Sequence, residues 1–232
     1  MLRKALSFSS SIPHAPVKPV FSGRLVILLS LLLTSLKIPD LAAAAEFGDI
    51  ELSAYALGSW PRDENVFNQG TIVSSSMGEG FGVGLKVGLY PAALRRFVGL
   101  ELDSNIHSGR LSFPNIANGQ RDEIGRSDLL LFKSTFNVVL RYPGVTFRPY
   151  VGAGIGWSTA ALLNPNIAGR DDEDFGSARA FGYQYLGGAQ FILTPSVFMF
   201  MEYRYFLSDY HWKGLVVDFR DHNALIGAGL RF

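Results

Sequence analysis

Gly80-Phe-Gly-Val-Gly-Leu-Lys-Val-Gly-Leu89 alternates without a break: Phe81, Val83, Leu85, Val87 and Leu89 are apolar, and the residues between them are three glycines and Lys86, after Gly80 itself. A period of two is the mark of a β-strand, whose successive side chains point to opposite faces. One face of this strand is wholly apolar, and the other is bare backbone around one lysine. A water-facing side would normally carry Thr, Lys and Glu, because glycine weakens a strand. Which face meets water decides the fold.

The pattern recurs on both sides of this stretch. Val98, Leu100 and Leu102 alternate with Gly99, Glu101 and Asp103, and Val151, Ala153, Ile155 and Trp157 alternate with three glycines behind Tyr150. Eight such segments can be read, over 48–58, 79–90, 96–107, 128–142, 147–160, 179–193, 196–208 and 221–232. Each reaches the roughly 9 to 11 residues that a tilted strand needs to cross a bilayer. The connections alternate as well. Pro91–Arg95, Pro143–Thr146 and Thr194–Pro195 are short, whereas 59–78, 108–127, 161–178 and 209–220 are long and polar. Long loops on one side and short turns on the other predict an all-β, eight-stranded, antiparallel up-and-down transmembrane barrel with both chain ends at the short-turn side.

In such a barrel the apolar face meets lipid, and the glycine face lines a polar, crowded interior. Glu51, Lys86, Glu101, Asp103, Lys133, Arg148, Glu202, Arg204 and Arg231 fall on that face and are expected to pair across the lumen, with Glu101, Asp103 and Glu202 facing Lys86, Arg148 and Arg204. Closure also leaves no unpaired backbone edge in hydrocarbon. Tyr55, Trp60, Tyr90, Phe97, Tyr142, Phe147, Tyr150, Trp157, Phe181, Tyr183, Tyr203, Tyr205 and Phe232, near strand ends, are read collectively as interfacial girdles.

The N-terminal segment has a different character. Residues 1–39 carry five basic groups and no acid, with an apolar run from Leu25 and small residues at Ala42–Ala45. A basic start, a short apolar core and an A-x-A site predict a secretory signal over 1–45, with Ala43 and Ala45 at the cleavage site, and a mature domain over 46–232. A short anchor or an organellar transit peptide is the alternative, although the apolar run falls short of the about 20 residues of a spanning helix. Without residues 1–45 the chain's 21 basic and 20 acidic residues become 16 and 19, so its balance moves from +1 to −3. Neither value gives a global reason to expect nucleic acid. The absence of cysteine excludes thiol catalysis and cysteine-bound zinc.

Tyr150-Val-Gly-Ala-Gly-Ile-Gly-Trp157, Met201-Glu-Tyr-Arg-Tyr-Phe206 and the closing Gly227-Ala-Gly-Leu-Arg-Phe232 resemble the small eight-stranded outer-membrane barrels of Gram-negative bacteria. That grouping includes the OmpA transmembrane domain, OmpX and opacity-type surface proteins, and the resemblance covers residues 47–232. It implies export through the secretory pathway, residence in the outer membrane among its lipids and lipopolysaccharide, and a monomer. It also implies that Leu230 and Phe232 belong to the C-terminal signal read by the barrel assembly machinery. With no periplasmic domain after Phe232, peptidoglycan anchoring is not expected. The resemblance is specific for architecture and weak for function, because the family shares a wall pattern.

No G-x-S-x-G, H-E-x-x-H or phosphate-loop motif is present, so neither an enzyme nor a cofactor is expected. A lipid A acylase or deacylase at the rim is the enzymatic alternative. Its candidates are His107 with Ser108, His211 with Ser208 and Asp209, and His222 with Asp221. Asp171, Asp172, Glu173 and Asp174 are clustered carboxylates that favour Ca²⁺, but as a bare run they read as a solvated loop tip, and no metal site is expected. Surface recognition through the long loops, rich in Asn, Ser and Gly at 67–77 and 115–119, is the leading function. A narrow pore for small or apolar solutes is the other alternative, against which stands the filled interior of eight-stranded barrels.

Overall fold

The Gly80–Leu89 alternation becomes strand β5 of a closed sheet. In the computed structural model the described residues are 48–62, 65–68, 71–74, 76–117, 120–163, 177–212 and 215–232. The expected signal segment, with Ala43 and Ala45, lies outside them. The strands are β1 (Gly48–Pro61), β2 (Asn65–Asn68), β3 (Thr71–Ser74), β4 (Ser76–Gly78), β5 (Gly80–Pro91), β6 (Val98–Ala117), β7 (Gln120–Arg141), β8 (Phe147–Leu163), β9 (Ser177–Thr194), β10 (Val197–Trp212) and β11 (Leu215–Arg231).

Eight of them pair in the order β1-β5-β6-β7-β8-β9-β10-β11, and β11 pairs back with β1, so the wall closes. All these pairings are antiparallel, and apart from the closing β1–β11 seam each joins strands that follow one another around the wall. The closing seam runs from Glu51 opposite Arg231 to Pro61 opposite Asp221. No helix among the described residues is long and apolar enough to cross a membrane; the crossing is made by strands.

Burial follows the alternation. Phe81, Val83, Leu85, Val87 and Leu89 are exposed on the outside, Phe81 by 75%, while Lys86 is buried on the inside. The glycines of the inner face make room for the large side chains that converge there. A Cβ on Gly84 would stand 2.3 Å from the Tyr55 phenol, and one on Gly99 2.3 Å from the Tyr90 ring.

All four segments read as long loops contain strand, and within 161–178 β8 runs on to Leu163 and β9 begins at Ser177. β6 and β7 continue in register from Ser108 opposite Leu130 to Asn115 opposite Glu123, and β10 and β11 continue to Trp212 opposite Leu215. Within 59–78, β2 and β3 form a hairpin against the end of β11, and β4 adds to β6. Reading the strands from their lipid-facing apolar residues ends them at the rim, because in water the outward face no longer has to be apolar. Backbone pairing carries on past that point.

At the same rim the wall inverts. Arg110, Asp128, Arg179 and Asp209 are exposed on the outside, while Leu129, Leu131, Leu162, Tyr210, Val217 and Phe219 are buried inside in one apolar cluster. Outside the bilayer the barrel follows the soluble rule of apolar inside and polar outside. The polar interior is therefore confined to the lower and middle lumen.

Candidate functional site

The lumen holds three tiers of charge, set by the inward positions of successive strands. In the middle tier, Arg204 of β10 makes a two-pronged pair with Asp103 of β6, at 2.7 Å and 2.9 Å. Tyr55 donates to both oxygens of the same carboxylate at 2.8 Å, and Asn105 donates to it at 3.2 Å. Glu202 accepts from Arg204, from Lys86 at 2.9 Å and from the Tyr150 hydroxyl at 2.6 Å. Lys86 also stands 3.4 Å from Glu101, which accepts from Tyr90 at 2.5 Å.

Above this tier, Lys133 of β7 meets Asp221 of β11 at 2.5 Å, and Ser59 donates to the other oxygen of Asp221 at 2.7 Å. His107 lies beside them, with Nε2 3.4 Å from Asp221 and Nδ1 3.2 Å from Asn105. The lowest tier, at the short-turn end, is built on Arg141, which pairs with Glu51 at 2.5 Å and Asp49 at 3.3 Å and lies 3.4 Å over the Tyr90 ring. Gln190 bridges Arg141 and Glu51.

The residues singled out from sequence are thus distributed over all three tiers. Arg148 lies near Asp49 at the short-turn mouth and does not reach Glu101, Asp103 or Glu202. Arg231 donates to the Pro195 carbonyl in the same region. Arg141, Asp49 and Gln190 are not among those residues, and Asp221, read from sequence only as the neighbour of His222, joins the upper tier with Lys133. Their signal was parity: Arg141 shares the inward face of Lys133, Thr135 and Asn137, but it sits at a strand end, where a charge reads as a turn residue.

Three of the proposed girdle aromatics face inward. Tyr55, Tyr90 and Tyr150 are buried and donate to Asp103, Glu101 and Glu202. Their parity is that of the glycine face, and a phenol that hydrogen-bonds a carboxylate is satisfied there as it would be at an interface. Trp60, Phe97, Tyr142, Phe147, Trp157, Phe181, Tyr183 and Tyr203 are exposed outside, as a girdle requires.

The histidine pairs proposed for catalysis are split between faces. His107 is buried inside while Ser108 points out and binds the Phe81 carbonyl, and Asp221 is inside while His222 is outside against Tyr203. His211 and Asp209 are exposed, and Ser208 is buried. Adjacent strand residues point to opposite faces, so sequence neighbours cannot form a nucleophile–base pair. Ser59, Asp221 and His107 do meet, but Asp221 stands between the other two, contacting each through a different oxygen, so the imidazole is not placed against the serine hydroxyl. The acidic run Asp171–Asp174 lies outside the described residues.

Residues 28–232 match the outer membrane protein beta-barrel domain. Among solved structures, the outer membrane protein OprG from Pseudomonas aeruginosa is similar, with a TM-score of 0.60 and 17% identity, over 81% of this chain and 97% of that one. Neisserial surface protein A has a TM-score of 0.48 and 15% identity, over 80% and 99%. Ail, the attachment invasion locus protein of Yersinia pestis, has a TM-score of 0.45 and 17% identity, over 80% and 99%. No curated protein sequence matches. At such identities the likeness to OprG is one of fold. A closed eight-stranded wall, apolar outside and charged within, together with the match over most of the sequence, means that this chain belongs to the outer membrane protein beta-barrel family and is a multi-pass barrel of the outer membrane.

Proposed function

We propose that the protein is a plugged barrel whose function is surface interaction through its extracellular hairpins. The observation that carries this reading is the β6–β7 ladder, which continues in register well past the last lipid-facing residues of the wall. From Ser108 to Ala117 it rises about 30 Å along the strand at about 3.3 Å per residue. A hairpin that carries the wall on in this way is suited to contact lipopolysaccharide, a host surface or matrix. In this reading Leu230, at the end of the last strand, and Phe232 just after it serve the assembly machinery, and the barrel acts as a monomer.

Packing of the lumen supports a plug. Arg141, Lys133, Tyr90, Phe200 and Phe206 fill it with fully buried side chains. Planar-bilayer recording of the purified protein is expected to show no steady, reproducible conductance; such conductance would reject the plug.

The second reading, a conduit for small apolar solutes, draws on the apolar cluster of Leu129, Leu131, Phe206 and Phe219 at the extracellular end of the lumen. Saturable uptake of an apolar solute that depends on those residues would favour it over the plug. The lipid A enzyme has lost its sequence-adjacent dyads. An expression-dependent mass shift in lipid A, abolished by His107→Ala, would restore it.

A further inference from the structure

At the short-turn mouth, three guanidinium groups converge on one oxygen. Asp49 Oδ2 lies 3.3 Å from Arg141, 3.5 Å from Arg148 and 3.9 Å from Arg231. A fourth, Arg96, takes the other oxygen at 2.8 Å. Among the described side chains, Asp49 and Glu51 are the carboxylates these four arginines contact, so four guanidinium groups share two carboxylates. Arg141 is fully buried, and its Nε has no hydrogen-bond partner.

The turn that delivers Arg96 is built at a cost. Arg95 and Arg96 both adopt left-handed backbone conformations, φ 52° and 57°, where glycine or asparagine would be relaxed. Such strain persists only when surrounding structure holds it, and it gathers where a side chain must be aimed. Arg96 remains part-exposed at the opening, while Arg148 and Arg231 are mostly covered.

We propose that this ring is a binding site for a phosphate-class oxyanion presented from the periplasm. Guanidinium forks match such an anion with paired N–H groups, and an added negative charge beside Asp49 relieves the repulsion among arginines that now share one carboxylate oxygen. Arg141 and Arg148 point to the inside of the wall, so the ligand enters the lumen mouth from solution; bilayer headgroups, outside the wall, do not reach it.

The test uses the purified, folded protein in maltoside micelles, with inorganic phosphate as the probe and calorimetry as the readout. Wild type binds saturably. Arg96→Gln and Arg148→Gln each weaken binding about tenfold or more, the loss of one charge-assisted contact. Arg110→Gln, an exposed arginine at the opposite rim, keeps wild-type affinity. Each variant must keep the band shift on boiling that marks a folded barrel. Absence of saturable binding, equal affinity in wild type and both mouth variants, or an equal loss in Arg110→Gln would overturn the proposal.

Discussion

Arg204 and Asp103 pair across the full width of the barrel. Their strands, β10 and β6, stand four places apart in a closed ring of eight, so the two-pronged contact spans opposite walls. Lys133 of β7 and Asp221 of β11 repeat the arrangement one tier higher. Because these partners are never neighbours in the sheet, each pair ties together walls that the backbone ladder joins only around the circumference. The glycines facing them keep the lumen wide enough for long side chains to meet.

Asp103→Ala leaves Arg204 buried with both prongs of its fork deprived of their carboxylate. We expect a loss of about 3 to 5 kcal/mol in unfolding free energy, the cost of breaking a buried pair from one side. Urea unfolding in lipid vesicles measures it. The double variant Asp103→Leu with Arg204→Met should recover a large part of the loss; equal stability of Asp103→Ala and wild type would show that the lumen is hydrated.

Gly84→Ala acts on the same tier through shape. Its Cβ would lie 2.3 Å from the Tyr55 ring, which is held in place by its bonds to Asp103. The ring cannot swing away without giving up those bonds, so overpacking of about 1 to 3 kcal/mol is expected. In the Tyr55→Phe background the cost of Gly84→Ala should fall, which the same unfolding assay resolves as a double-mutant cycle.

The outer wall makes an opposite demand. Leu102 is 55% exposed in the middle of the lipid-facing surface of β6, next in sequence to the buried Glu101 and Asp103. Leu102→Arg should cost about 2 to 4 kcal/mol for an arginine near the bilayer midplane. Measured in vesicles, a neutral effect would contradict the assignment of this face to hydrocarbon.

Sidedness can be read on intact cells. An epitope inserted between Ala117 and Gln120, at the tip of the β6–β7 hairpin, should be labelled from outside. One placed between Thr194 and Val197 should be reached only after the outer membrane is permeabilised. Labelling in the reverse order would invert the barrel and place the arginine mouth at the cell surface.

Period-two alternation by itself determined the eight strands of the closed wall and the facing of most of their described residues within the membrane. The physical reason is that hydrocarbon accepts only apolar side chains on one face, and a strand sends every second residue there. Parity even placed Tyr55, Tyr90 and Tyr150 on the inner face, where a reading that treats strand-end aromatics as girdle residues goes astray. Only the closed tertiary structure decided which inward charges meet. Partners such as Lys133 and Asp221 lie far apart in the chain and on opposite walls, so their contact depends on strand register and barrel closure, which no local pattern encodes. The same is true of the mouth, where Arg96, Arg141, Arg148 and Arg231, from separate turns and strands, come together around Asp49 only when β11 closes on β1.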